Sequence, residues 1–380
     1  MRTLAALLLA AVLTFAAPTV HGAEPWLKAG DVVALVGGED MVALAEEGWL
    51  ETAITCSQPK DRIRFRSLAW EGDTVFEQRR DLNYPTLETQ LDRMGATVVL
   101  CQFGKMESFA GKEGVAAFTE AYEKLIARLT GEKEWCFVLD GKFDPNPRSY
   151  HSTSGFRGHK ILTRPWLDET FALRGHIEYE KDRPSGEKKR RIALVLPMQF
   201  ATRPEGTESK HLPDLTPRNA DLASYREGIR ALAGKHAALL LDADYFGPAS
   251  TVPDYPTRDG IHLRVNDSFS DSWLVHFGLA LTLVESLGDK PSFGKGNAID
   301  ELIPGSFGNL CYTIRAKNRL WFHYTRPQNW AFLAGNRTNQ PSSRDHLDPA
   351  RRWFPEEMEQ WLPLIEAKEK EIQALSAAPR

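Results

Sequence analysis

The run Val32-Val33-Ala34-Leu35-Val36 is apolar without interruption and stops at Gly37-Gly38. A strand with no polar face has to be buried on both sides. A parallel sheet covered by helices provides that burial, and a half-solvated antiparallel sheet does not. A helical stretch over 41–53 follows, and the unit then recurs. Residues 63–70 and 97–103 read as the second and third strands, followed by a helix over 114–129. A fourth strand over 191–197 leads to a helix over 219–233, a fifth over 237–241 and a closing helix over 270–287. The alternation predicts an α/β protein, a three-layer α/β/α doubly wound sheet of five parallel strands.

Two regions depart from the alternation. Residues 132–189 are rich in Pro, Gly, Arg and aromatics, with strand-like pieces at 135–139 and 171–179. A structureless loop of that length is improbable inside a domain, so a β-rich insertion is expected. Its second piece could pair with 191–195 as a hairpin across Pro184-Ser185-Gly186-Glu187. Trp135, Tyr150, Phe156 and Trp166 could give such a flap stacking faces for sugars, or could simply pack in a core. Beyond the sheet unit (24–290), residues 291–380 read as a helical appendage packed on the same domain. Its helices are expected near 315–324 and 355–375.

Residues 1–23 have the form of an export signal: Arg2, an apolar run from Leu4 to Ala17, and small residues around Val20-His21-Gly22-Ala23. That run is too short to span a bilayer, and no later segment approaches the roughly 20 apolar residues required. A periplasmic or extracellular protein is expected, with no membrane partner. The net charge is −4 and the pI near 6.2, which gives no electrostatic basis for nucleic-acid binding. The basic run Lys188-Lys189-Arg190-Arg191 is read as a solvated lead-in to the fourth strand. The spacing of the four cysteines (Cys56, Cys101, Cys136, Cys311) forms no small disulfide framework, and Cys101 reads as a buried free thiol. No Cys/His spacing suggests a metal, and no cofactor is expected.

In an open parallel sheet, ligands sit beyond the carboxyl ends of the strands where strand order reverses. Four segments fall there: Gly37-Gly38-Glu39-Asp40, Glu71-Gly72-Asp73, Gly104-Lys105-Met106-Glu107-Ser108 and Asp259-Gly260-Ile261-His262. Their order and spacing resemble the four blocks of the SGNH/GDSL hydrolases: Gly-Asp-Ser, a glycine, Gly-x-Asn and Asp-x-x-His. The resemblance covers about residues 29–287 apart from the insertion. The tail motifs Lys317-Asn318-Arg319-Leu320-Trp321-Phe322 and Arg326-Pro327-Gln328-Asn329 also resemble exported SGNH-type proteins of some bacterial groups. It implies a flavodoxin-like strand order 2-1-3-4-5 and an ester hydrolase in which Asp259 orients His262 and His262 takes a proton from a serine. The oxyanion-hole positions fall on Gly38, Gly72 and Met106.

Two blocks depart from the pattern. Glu39 stands where the family has its nucleophilic serine, and Met106 stands where it has asparagine. A carboxylate has no proton for His262 to remove, so it cannot replace the serine in that chemistry. Losing one oxyanion donor costs about 10²–10³ in turnover. Glu39 could instead form a closed ion pair with His262, or act as a general base on water with His262 as acid. Ser57, Ser67 and Ser108 are the nearby hydroxyls, with Ser108 closest to a strand end. Lys105 and Glu107 are either site charges or surface residues. Two readings follow: an exported binding or accessory protein of this fold, or an active esterase on acylated carbohydrates or small esters. Either would take a small-molecule or carbohydrate ester as ligand.

Overall fold

The computed structural model describes residues 25–78, 80, 84–139, 142–143, 177–183, 189–200, 213–242, 272–289, 306–333, 337–338 and 340–377. Its main sheet has the order β2-β1-β3-β7-β8, with every pair parallel. The strands are β1 (Val32–Gly37), β2 (Arg64–Ser67), β3 (Val98–Gln102), β7 (Arg191–Val195) and β8 (Leu239–Leu241). Counted within this sheet, the order is the expected 2-1-3-4-5. Side chains alternate across it as the strand period requires. Val33 and Leu35 enter one core with Met41, Leu50, Ile54 and Leu283. Ala34 and Val36 enter the other with Phe118, Tyr122, Tyr225 and Ile229.

The first face is covered by α1 (Glu39–Glu47), α2 (Trp49–Ser57) and α6 (Ser272–Ser286). The second is covered by α3 (Leu87–Arg93), α4 (Val115–Thr130) and α5 (Asn219–Lys235). The helix expected over 41–53 is two helices, because Gly48 adopts a left-handed φ of 69° between them. Helix α3 was not expected. It starts on Thr86, whose side chain accepts from the Thr89 N–H and so caps it.

The insertion carries a separate three-stranded antiparallel sheet in the order β5-β4-β6, from β4 (Lys133–Leu139), β5 (Lys142–Phe143) and β6 (Ile177–Asp182). The hairpin between 171–179 and 191–195 does not form. β6 pairs with β4, while β7 runs parallel to β3. The patterns explain the choice. Ile177-Glu178-Tyr179-Glu180 alternates and suits a sheet with one wet face, whereas Ile192 to Val195 is buried throughout. The basic run is not simply solvated either. Arg190 is buried against Asp92 and the Leu129 carbonyl, Arg191 binds Asp31, and Lys189 pairs with Glu132 at 3.1 Å. Lys188 lies outside the described residues.

The tail consists of α7 (Ser306–Thr325), α8 (Trp330–Leu333), α9 (Trp353–Glu359) and α10 (Trp361–Ala377). It closes an exposed sheet edge. β2 is an edge strand, and its alternate carbonyls point away from β1. Phe65 O receives Lys317 Nζ at 3.2 Å, Ser67 O receives the Trp321 indole N–H at 2.8 Å, and Ala69 O receives Arg326. One helix and the turn after it thereby satisfy acceptors that would otherwise template another strand.

Lys317 is fully buried. Its ammonium lies 2.5 and 2.7 Å from the two Glu51 oxygens and 3.9 Å from Glu369, which also binds Arg66 at 2.5 Å. Burial pushes the Glu51 carboxyl up against the pull of Lys317. At Glu369 burial is outweighed by Lys317 and Arg66, which hold its carboxyl below the ordinary range. Cys101 and Cys311 are free and buried, as expected for Cys101, Cys56 is buried, and burial lifts the Cys101 thiol to about 12. Among the described residues no helix is long and apolar enough to cross a membrane.

Candidate functional site

The carboxyl ends of β1 and β3 converge on a shallow cleft. Gly37 ends β1 with a φ of 153°, and a Cβ there would lie 2.5 Å from the Gln102 carbonyl and 2.6 Å from Met41 Cγ, so only glycine fits. Gly38 then opens α1, its carbonyl accepting from the Met41 and Val42 N–H groups, both at 3.1 Å. Glu39 and Asp40 fill the first helical turn, where the positive end of the helix dipole favours negative charge. Asp40 is buried and pairs with Lys105 at 3.4 Å across the cleft. Its Oδ1 is buried and has no hydrogen-bond partner among the described residues.

The loop after β3 is built around Glu107. This buried carboxylate accepts from Gly104 N and Val75 N, each at 2.8 Å, clipping the third loop to the second. Burial raises its pKa against those backbone hydrogen bonds. Glu107 is therefore neither a surface charge nor an open site group, a role that its position in the sequence did not signal. Met106 lines the cleft and is 46% exposed.

In the second loop, Gly72 has a left-handed φ of 82° and open space where a Cβ would be. It sits in the turn closed by Asp73 N donating to Trp70 O at 3.1 Å. Asp73, rather than Gly72, lines the cleft, and its carbonyl lies 3.2 Å from where a Gly38 Cβ would stand. Its carboxylate binds Arg80 at 2.5 Å, and the Arg80 guanidinium lies 4.4 Å from the centre of the Trp70 ring. Arg326 also approaches that ring, at 4.3 Å, and bonds Glu71 at 2.8 Å.

Burial lifts Asp73 to about 6, although Arg80 opposes the shift. The folded chain therefore holds this proton more tightly than an exposed carboxyl of ordinary value 3.8 does. The contribution to stability is full below pH about 4 and is lost as pH rises through about 6, a change of about 3 kcal/mol at most. Asp73→Asn is expected to flatten the stability profile between those pH values, measured by urea unfolding at closely spaced pH. An unchanged slope would show that Asp73 is solvated.

The described walls enclose about 30 Å³, roughly the room of one or two waters. Among the described residues lining the cleft, none is Ser, Thr or Cys. Each nearby hydroxyl is engaged elsewhere. Ser108 is fully buried and donates to Lys105 O at 2.7 Å, Ser57 donates to Ala53 O at 2.9 Å, and Ser67 Oγ accepts from Ala69 N at 3.3 Å. Asp259 and His262 lie outside the described residues, as do Tyr150, Phe156, Trp166 and the Trp135 side chain. The structure thus brings Gly38, Glu39 and Met106 to one cleft, and adds Asp40, Asp73 and Lys105. Among the described residues no cluster of His, Cys, Asp and Glu could hold a metal ion.

The sheet order is that of an open, doubly wound parallel sheet of the flavodoxin-like type. No protein-family model matches the chain, and no curated protein matches it. Among solved structures the chain is similar to a gut microbial diltiazem-metabolizing enzyme, at 13% identity and a TM-score of 0.42, covering 69% of this chain and 48% of that one. It is also similar to an alpha/beta hydrolase from the metagenome of Lake Arreo, Spain (13%, TM-score 0.39, 70% and 98% covered). A third similarity is to a GDSL-like lipase from Parabacteroides merdae (10%, TM-score 0.37, 69% and 97% covered). The chain spans about half the length of the first and nearly all of the other two. At such identities and TM-scores these likenesses assign neither activity nor substrate.

Proposed function

We propose that this chain is an exported SGNH-fold protein of the ester-hydrolase lineage that has lost serine esterase chemistry and serves as a binding or accessory protein. The observation that supports this reading is the cleft floor. The turn that would present a nucleophile carries Glu39, and no hydroxyl or thiol among the described residues lines the cleft. Met106 offers no hydrogen-bond donor to a developing oxyanion, and the N–H of Gly104 is already taken by Glu107. With p-nitrophenyl acetate, p-nitrophenyl butyrate and acetylated xylan, hydrolysis is expected to stay at background. A robust rate that disappears in His262→Ala would overturn the proposal.

Asp73 favours one second reading. A carboxyl lifted to about 6 on the cleft that Glu39 also lines is poised for proton transfer near neutral pH. A water-based hydrolysis of acyl esters would then use Asp73 as base and Asp259/His262 as the acid pair. Its signature would be slow turnover that rises with pH through about 6 and is lost in Asp73→Asn.

A further inference from the structure

A second cavity lies away from the cleft, along the sheet edge. A groove of about 850 Å³ runs beside β2, between α3 and the tail, within the roughly 300–1,000 Å³ of typical ligand sites. Among the described residues four aromatic rings line it: Tyr84, Trp321, Tyr324 and Trp330. All but Trp321 are half-buried, so parts of their faces meet the groove. Several are fixed in advance. The Tyr84 hydroxyl donates to Thr325 O, the Trp321 indole to Ser67 O, and the Tyr84 and Trp330 rings meet edge-on at 5.0 Å. Rings already held in place lose little freedom when a ligand stacks on them.

Charge narrows the ligand class. Of the groove's arginines, Arg66 is committed to Glu369. Among the described lining residues Arg64 and Arg93 are matched in number by Glu359 and Glu366 on the tail side, so these residues offer donors and acceptors without a net charge to select an ion. Flat apolar faces beside mixed donors and acceptors complement a sugar ring, which has an apolar face and hydroxyls of both kinds.

We infer that the groove between β2, α3 and the tail is a binding site for an uncharged oligosaccharide, stacked on Tyr324 and Trp330 and hydrogen-bonded by Arg64, Arg93, Glu359 and Glu366. The site is separate from the Glu39 cleft and stands whether or not the chain hydrolyses esters. The test is calorimetry and tryptophan fluorescence of the full chain with xylohexaose, cellohexaose, laminarihexaose and chitohexaose, and with anilinonaphthalene sulfonate as an apolar anion. At least one oligosaccharide is expected to bind one per chain. Trp330→Ala and Tyr324→Ala should each weaken it about tenfold. Glu366→Ala, at an exposed rim position whose change leaves the core intact, should weaken it as well. The inference is overturned if no oligosaccharide binds, if affinity is unchanged in all three variants, or if only the naphthalene sulfonate binds and these variants weaken it.

Discussion

Lys317→Met is expected to destabilise the protein by about 3–5 kcal/mol, because it leaves Glu51 buried without its cation. Glu51 and Lys317 are 3% and 0% exposed, so water cannot take over the lost partner. The ammonium also holds the Phe65 carbonyl on the outer edge of β2, and its removal orphans that acceptor in part. Guanidinium unfolding should show a lower midpoint with little change in slope. The double variant Lys317→Met/Glu51→Leu should recover most of the loss, since no buried charge then stands alone and Arg66 keeps Glu369. A loss below about 1 kcal/mol in the single variant, the size typical of solvated pairs, would show that the tail does not seal this edge in solution.

The buried lysine shows where sequence reading stops. The motif around Lys317 reads as one face of a helix, and a helical lysine normally points to water. Its burial is decided by Glu51, 266 residues earlier, and by Arg66 and Glu369, none of which local periodicity connects. The five central strands were legible for the opposite reason. Four of them are short apolar runs whose own composition demands burial on both faces, β2 (Arg64–Ser67) alternates charged and apolar residues instead, and the strand order followed from the resemblance. Helix α3 escaped because seven residues with three charges carry too little periodicity, and its Thr86 cap is one hydroxyl among many. At the cleft, Glu39 and Met106 were legible as departures because block order located them. Asp73 and Glu107 were not, since their roles come from loop-to-loop contacts: Glu107 ties Val75 to Gly104, and Asp73 meets Arg80 beside Trp70. Gly72, at the position of the family's oxyanion glycine, sits in the turn that delivers Asp73 to the cleft.

Restoring the two departed blocks should create activity in steps of unequal size. Glu39→Ser alone supplies a hydroxyl at the helix start, where the Gly37-Gly38 turn presents it toward the Met106 side of the cleft. It still has no side-chain donor for the oxyanion. Adding Met106→Asn should raise p-nitrophenyl acetate turnover by a further factor of about 10²–10³, the worth of one such donor in acyl transfer. Met106 is 46% exposed, so the asparagine replaces a surface-facing side chain and opens no core cavity. The gain must depend on His262, because a serine hydroxyl at neutral pH needs a base to become a nucleophile. His262→Ala in the double variant should therefore return the rate to background, while Ser108→Ala, which removes a buried donor to Lys105 O, should leave the rate per folded molecule unchanged. If the double variant gains nothing while remaining folded, His262 does not face the Glu39 turn. The block resemblance would then describe the scaffold and not a dormant catalytic site.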